Sequence, residues 1–296
     1  MTEIRTNEDA VSHSAPLSII AGGGEVPLIV ARAARAAGRP VQIIGIDGEA
    51  GAGIAEFPHH WQKWGQLGSV LDLLSAHGNQ VVIVGSVSGR PDFRNIGLDM
   101  STVKLLPEIL SVMAGGGDDS ILSGAVKILE KRGFRVLGAH EIATDLVAGV
   151  GCLTRKRSSD IDHTDAVAAA EAAHAIGRLD AGQAAVAIGG HIVALEGSEG
   201  TDAMLARVKQ LRESKRIGWR GRAGVLAKFS KPQQDLRVDM PAIGPRTVDA
   251  VAEAGLAGIF VEAGRVMLVQ RPEIIARADE AGIFVVAGAA PTETKR

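Results

Sequence analysis

Two carboxylates and a guanidinium alternate in Asp235-Leu-Arg-Val-Asp-Met-Pro-Ala-Ile-Gly244. Drawn out as a strand, the segment projects Asp235, Arg237 and Asp239 from one face and seats Leu236, Val238 and Met240 on the other, because successive side chains of an extended chain point to opposite sides. Carboxylates in such a row can hold a hard cation or poise a water, while the guanidinium fork takes a phosphate. The pattern is also that of an edge strand whose outer face carries a salt bridge.

The other candidate groups stand where apolar runs end. Gly22-Gly-Gly24 separates the apolar run 17–20 from a helix expected over 27–37, so its amides and the helix dipole could receive a phosphate. The same triplet would serve as a plain tight turn. As a dinucleotide fingerprint it fails, because Pro27 occupies the third glycine position of G-x-G-x-x-G, although Asp47 lies near where a ribose-binding acid would sit. After the strand 81–85, Ser88, Arg90 and Asp92 lie on a loop stiffened by Pro91. His140 beside Glu141, at the end of a strand, is the most site-like histidine; His59 and His60 carry no ligand spacing. Gly117-Asp-Asp-Ser120 and Thr201-Asp202 read first as helix N-caps. The basic stretch 209–222 surrounds Trp219, and it reads either as a solvated loop or as a patch for an anionic membrane surface.

The elements that must position these groups follow an α/β grammar. Strands 17–20, 41–46, 81–85 and 134–137 alternate with helices 27–37, 67–76 and a helix-rich stretch 102–131 broken at Gly115-Gly-Gly117. Alternation of this kind implies a Rossmann-like parallel sheet covered on both faces. The charged stretch 152–161 reads as a linker into a second, mixed α/β domain. There an alanine-rich helix 162–176 leads to strands 184–188 and 191–195, paired as a hairpin through Gly189-Gly190. A helix 202–212, a strand 224–229, the Asp235–Gly244 segment, a helix 246–253, strands 258–261 and 266–268, a helix 272–281 and a strand 283–286 complete the chain. The expected architecture is a polar extension 1–15, an N-terminal domain 16–151, the linker, and a catalytic domain 162–296, with a ligand cleft between the domains.

Composition sets the outer limits. Lys and Arg number 32 against 34 Asp and Glu, so no polyanion-binding surface, and no nucleic acid partner, is expected. The single cysteine, Cys152, excludes an intrachain disulfide and a cysteine-rich zinc site, which fits a reducing cytosol. The first residues lack an apolar core of the signal-peptide kind, and no run approaches the roughly 18–20 apolar residues of a bilayer span.

The motifs Ala21-Gly-Gly-Gly24, Ser88-Gly-Arg-Pro-Asp-Phe93, Gly117-Asp-Asp119, Gly138-Ala-His-Glu141, Glu199-Gly-Thr-Asp-Ala-Met-Leu205 and Arg237-Val-Asp-Met-Pro-Ala-Ile-Gly244, taken in order, resemble the LpxI family. These are the UDP-2,3-diacylglucosamine pyrophosphatases of lipid A biosynthesis, and the resemblance runs over about 17–288. It implies a two-domain hydrolase that releases UMP and the diacylated sugar phosphate lipid X by water attack on phosphorus. It also implies Mg2+ dependence and, for a diacylated substrate, a peripheral place on the cytoplasmic face of the inner membrane. A homodimer is left open.

The family's essential aspartate falls on Asp239, which becomes the candidate for metal ligand or water-orienting group, with Asp235 in support. Arg237 and Arg90 would clamp phosphate, as would Lys228 or Lys231. Gly22, Gly23, Gly24, Ser88, Asp92, His140, Glu141, Thr201 and Asp202 complete the candidate substrate-binding set. Met240 stands where many relatives carry leucine, and position 235 need not be acidic. The acyl chains require an apolar groove of several hundred cubic ångströms, which the small residues of 166–175 could border; an alanine-rich helix of this kind also serves simply for close packing. The competing classes are a nucleotide-binding oxidoreductase and a UDP-sugar binding module without catalysis.

Overall fold

The computed structural model describes residues 14–87, 102, 118–219 and 221–290, with the side chains of 118–121 left aside. Ser88, Arg90 and Asp92, the Gly115-Gly-Gly117 break and Arg220 therefore lie outside the described residues. The chain divides into two compact units between Ala143 and Thr144.

The first unit alternates β1 (Leu17–Ala21), α1 (Val26–Ala36), β2 (Val41–Ile46), β3 (His59–Gln62), α2 (Leu67–His77), β4 (Gln80–Val84), α3 (Asp118–Lys131), β5 (Arg135–Leu137) and α4 (Ala139–Ile142). Its five strands are ordered β3-β2-β1-β4-β5 and all run parallel, as the alternation predicts. Every residue of β2 is buried, the mark of a sheet covered on both faces. The edge strand β3 was not expected, because His-His-Trp-Gln carries no apolar alternation and only the outer ladder of β2 recruits it.

Strand order reverses between β1 and β4, and there the chain crosses itself closely. Gly22 N–H donates to Val84 O at 2.9 Å, while Gly23 and Ser86 exchange backbone hydrogen bonds of 2.7 and 2.9 Å. A Cβ on Gly22 would lie 2.6 Å from the Ser86 carbonyl oxygen, so only glycine permits the crossing.

The second unit begins with β6 (Gly151–Cys152), which pairs antiparallel with β13 (Phe284–Gly288). Leu153 N–H continues the pairing to Val285 O, and Thr154 Oγ1 accepts from Val285 N–H. The first part of the stretch expected as a linker is thus held to the sheet by its backbone. Its charges, among them Arg155 on Asp279, face water and gave no sign of this.

The sheet runs β6-β13-β11-β9-β7-β8, built from β7 (Ala184–Ile188), β8 (His191–Leu195), β9 (Val225–Lys228), β11 (Gly258–Glu262) and β13. Strands β9, β11 and β13 are parallel and β7 is antiparallel to β9. Gly189 and Gly190, at φ +60° and +77°, form the two-residue turn of the β7–β8 hairpin, as expected from that dipeptide. Two short strands, β10 (Ala242–Ile243) and β12 (Met267–Leu268), pair separately.

The two faces of this sheet are packed differently. One is covered by α6 (Gly200–Glu213), α7 (Pro245–Glu253) and α8 (Arg271–Ala281), whose Met204, Val208, Val251 and Ile274 meet Leu226, Ile259 and Val285. The other receives α5 (Asp160–Arg178), which lays Ala169, Ala170 and Ala173 against Ala185, Ala187, Ala227 and Phe229. Small residues on both sides let helix and sheet approach closely. Ser159 and Asp162 close a reciprocal cap at the start of α5.

Asp165 pins α5 to the hairpin. It is only 1% exposed, and its Oδ1 accepts from Gly190 N–H at 2.6 Å. Asp165→Ala is expected to lower stability by about 1–3 kcal/mol, because the charge-assisted bond that ties the hairpin turn to the buried carboxylate is lost, with Asp165→Asn retaining most of it. Urea unfolding of the two variants checks this.

Candidate active site

Parallel strands end together, so the second sheet gathers its polar residues at one edge. Lys228 closes β9, Glu262 closes β11 and Gly288 closes β13, while Ala184 at the start of β7 pairs with Lys228. Ligands of open α/β sheets bind outside this carboxyl edge.

The Asp235–Asp239 segment that follows β9 is a compact turn and not the extended comb expected of it. Val238 and Asp239 N–H both donate to Asp235 O, at 3.1 and 2.9 Å, and a strand begins only at Ala242. The side chain of Asp235 reaches back to Arg237 N–H at 3.1 Å, and a carboxylate that bonds its own backbone favours a turn over the period-two pattern. Leu236 and Val238 are accordingly only half-buried, and Met240 alone is buried.

The turn gives the two aspartates different partners. Asp235 binds Arg237 through both oxygens, at 2.9 and 2.7 Å, and this guanidinium holds its carboxyl below the usual carboxylate range. Asp239 Oδ2 instead accepts from Gln234 Nε2 at 2.7 Å. Gln234, 7% exposed, is fixed in turn by accepting from Lys231 N–H, and the Lys231 ammonium bonds Asp180 at 2.7 Å. Gln234 thus orients Asp239, a role nothing in its sequence neighbourhood marks.

Lys228 lies inside the edge. It is 8% exposed, and burial pushes its pKa below that of an ordinary lysine, with Glu196 and Asp202 acting against that shift. Its Nζ donates to Thr201 Oγ1 at 2.9 Å, and Thr201 Oγ1 lies 2.5 Å from Glu196 Oε1. Glu196 Oε2 accepts from Gln183 N–H at 2.8 Å. Thr201 is therefore no N-cap: α6 starts at Gly200 without a side-chain cap, and the hydroxyl serves a buried charge network. Asp202 turns outward and pairs with Arg246 on the surface.

A second buried carboxylate lies on the adjacent strand. Glu262 Oε2 accepts from Ser230 N–H and Oγ at 2.9 and 2.6 Å, and Arg265 bonds both Ser230 Oγ and Glu262 Oε1. Glu196, Gln183, Ser230 and Glu262 were not singled out from the sequence. A charged residue ending an apolar strand, as Glu262 and Glu196 do, was the available signal.

In the first unit, two of the three glycine amides are already committed. Those of Gly22 and Gly23 serve the crossing with Val84 and Ser86, so a phosphate there would depend on Gly24 and the start of α1. Glu141 accepts from Gly138 N–H at 2.8 Å and caps α4. His140 Nδ1 is buried without a hydrogen-bond partner, and burial lowers its pKa from the ordinary histidine value, with Glu141 acting against that shift.

Among the described residues no three His, Cys, Asp or Glu side chains are grouped as a metal site. Trp219, the aromatic of the basic stretch, packs on the core under the Arg212 guanidinium and bonds Gly255 O, while Lys215 and Arg216 stay exposed. A groove of about 710 Å³ opens between α5 and β13, lined by Ala166, Val167, Ala170, Phe260, Phe284 and Val286, with Cys152 on its wall. No described helix is long and apolar enough to cross a membrane.

These placements can be compared with known proteins. The family model of the LpxI N-terminal domain matches residues 16–146, and that of the LpxI C-terminal domain matches residues 149–286. The chain is 40% identical over 277 residues to the UDP-2,3-diacylglucosamine pyrophosphatase LpxI of Caulobacter vibrioides, across 94% of this chain and 98% of that protein. Both family domains are thus present in order, with their junction close to the division between the two compact units, and the chain belongs to the LpxI family.

Proposed function

We propose that this protein hydrolyses the pyrophosphate bond of UDP-2,3-diacylglucosamine, giving UMP and 2,3-diacylglucosamine 1-phosphate for lipid A biosynthesis. The observation that carries the reading is the 40% identity, over nearly the full length of both chains, to a pyrophosphatase of that name. The polar edge of the second sheet is chemically suited to the task. An oxidoreductase is disfavoured by Pro27 in the glycine turn and by the commitment of the Gly22 and Gly23 amides.

In this mechanism Asp239, oriented by Gln234, positions the attacking water. Attack forms a phosphorus–oxygen bond and breaks the bridging one, and charge spreads over the phosphoryl oxygens. The Lys228 ammonium meets that charge from the strand end, and Arg237, held in place by Asp235, clamps a phosphate oxygen from the turn. Asp235 thereby acts through Arg237, which fits its supporting rank.

Among the described residues Asp239 belongs to no group of three or more His, Cys, Asp or Glu side chains, so Mg2+ fits here as an ion that would take most of its ligands from phosphate and water, the coordination it usually keeps. When bound it would supply electrostatic stabilisation of the diphosphate. The acyl chains enter the groove beside α5, which is lined mostly by apolar side chains, with Arg157, His163 and Glu171 also on its lining, and lies on the strand, β13, whose last residue pairs with Glu262. A diacylated substrate places the reaction at a membrane surface, with the protein peripheral on the cytoplasmic face and the exposed Lys215 and Arg216 available to anionic headgroups.

Asp239→Ala is expected to lower kcat by at least about 10²-fold with its far-ultraviolet circular dichroism unchanged, and Asp235→Ala to lose only about tenfold. UMP release from UDP-2,3-diacylglucosamine, measured with and without Mg2+, reads both; full activity of the Asp239 variant removes it from the mechanism. The groove has a native reporter, since Cys152 is the only cysteine of the chain. Lipid X should slow alkylation of Cys152 by N-ethylmaleimide about fivefold or more, UMP should not, and Val167→Trp, at an exposed groove-lining position, should abolish the protection. Equal alkylation rates with and without lipid X would place the acyl chains elsewhere.

A further inference from the structure

Lys228 and Glu196 are both 8% exposed, yet the hydroxyl of Thr201 stands between them. A hydroxyl has one proton to give and lone pairs to receive with, whereas a carboxylate only accepts. Thr201 therefore donates to Glu196 and turns a lone pair to the Lys228 ammonium, so the relay has one direction. Its far end is fixed by Gln183 N–H, a backbone donor whose place is set by the adjoining strand. Among the described residues Thr201 is the one hydrogen-bond acceptor of Lys228. A buried ammonium has three protons to satisfy, which leaves two for a ligand at the carboxyl edge.

We infer that Glu196 is a positioning residue for phosphate recognition: through Thr201 it holds the Lys228 ammonium charged and aimed at a phosphoryl oxygen, while touching no substrate itself. The identity of that substrate rests on the pyrophosphatase reading above. The surroundings single out Glu196 for the task. Across the ladders, Lys228 is flanked by Ala184 and Val261, which carry no charge, and α5 presents alanines to β9. Glu262, at the end of β11, is occupied by Ser230 and Arg265. Asp202, which also favours the ammonium, is exposed and paired with Arg246.

The sign of the pH effect follows. Lys228 serves while protonated and fails as pH rises through its pKa, which burial lowers and Glu196 raises. Neutralising Glu196 removes the opposing charge, so the alkaline limb of activity moves to lower pH.

The test is steady-state hydrolysis of UDP-2,3-diacylglucosamine by the full chain between about pH 6 and pH 9, for wild type, Glu196→Gln and Glu196→Asp. Glu196→Gln should lower kcat/KM about tenfold near pH 8.5, with the loss falling mainly on kcat because Lys228 meets charge that develops on attack, and stay within about twofold of wild type near pH 6. Glu196→Asp should restore most of the alkaline limb. A Glu196→Gln profile that parallels wild type, or a loss equal at every pH, overturns the proposal. If that variant unfolds, Thr201→Val breaks the relay with the carboxylate kept, and an unshifted limb there overturns it as well. Turnover by the wild type reports on the pyrophosphatase reading separately, and the lysine ammonium resonances of wild type and Glu196→Gln followed by NMR read the relay without substrate.

Discussion

Charge at the edge of a sheet must be neutralised when helices and loops close over it, and this requirement organises the second unit. Removing one partner from a buried ion pair leaves an uncompensated charge that typically costs about 3–5 kcal/mol. The structure meets the demand twice with the same device. Thr201 lies between Lys228 and Glu196, and Ser230 lies between Arg265 and Glu262. Each hydroxyl gives its proton to the anion and receives one from the cation; Thr201 alone joins Lys228 to Glu196, whereas the Arg265 guanidinium also meets Glu262 directly at 3.1 Å. The parallel register of β9 and β11 brings the two triads to neighbouring strand ends.

Around that edge the two faces of the sheet do different work. The α6, α7 and α8 face is filled by branched and long side chains that interlock into the main core of the unit. The α5 face is made of alanines, which lets the helix lie close and leaves room beyond it over β13 and β6. Phe260 and Phe284 stand at the boundary between the covered half and the open half.

The fold was largely legible because its signals are periodic. Alternating apolar runs and helices disclosed the parallel sheet, and Gly189-Gly190 disclosed the hairpin. What escaped lacked local marks: β3 is polar and pairs only because β2 offers an edge, and β6 is two residues long. The site was less legible for a related reason. Asp235-x-Arg237-x-Asp239 has the alternation of a strand, but Asp235 can bond its own downstream amide, and that short-range contact turned the chain. Gln183 and Glu196 meet through the pairing of the β7–β8 hairpin, and Gln234 meets Lys231 and Asp239 through the fold of its own loop; no spacing rule identifies such groups. Thr201 illustrates the converse, since a helix-start sequence suggested a cap while the tertiary network claimed its hydroxyl.

The alanine stripe of α5 carries an evolutionary consequence. Ala166 and Ala170 border the groove, but neither has a polar side chain on which the Lys228 and Glu262 triads rely. A larger side chain at Val167, which also lines the groove and is 38% exposed, would remove volume from the groove and leave the hydrogen bonds of the carboxyl edge as they are. Drift along a single helix face is therefore a route by which relatives could diverge in the length of hydrocarbon they accommodate while their phosphate chemistry stays fixed.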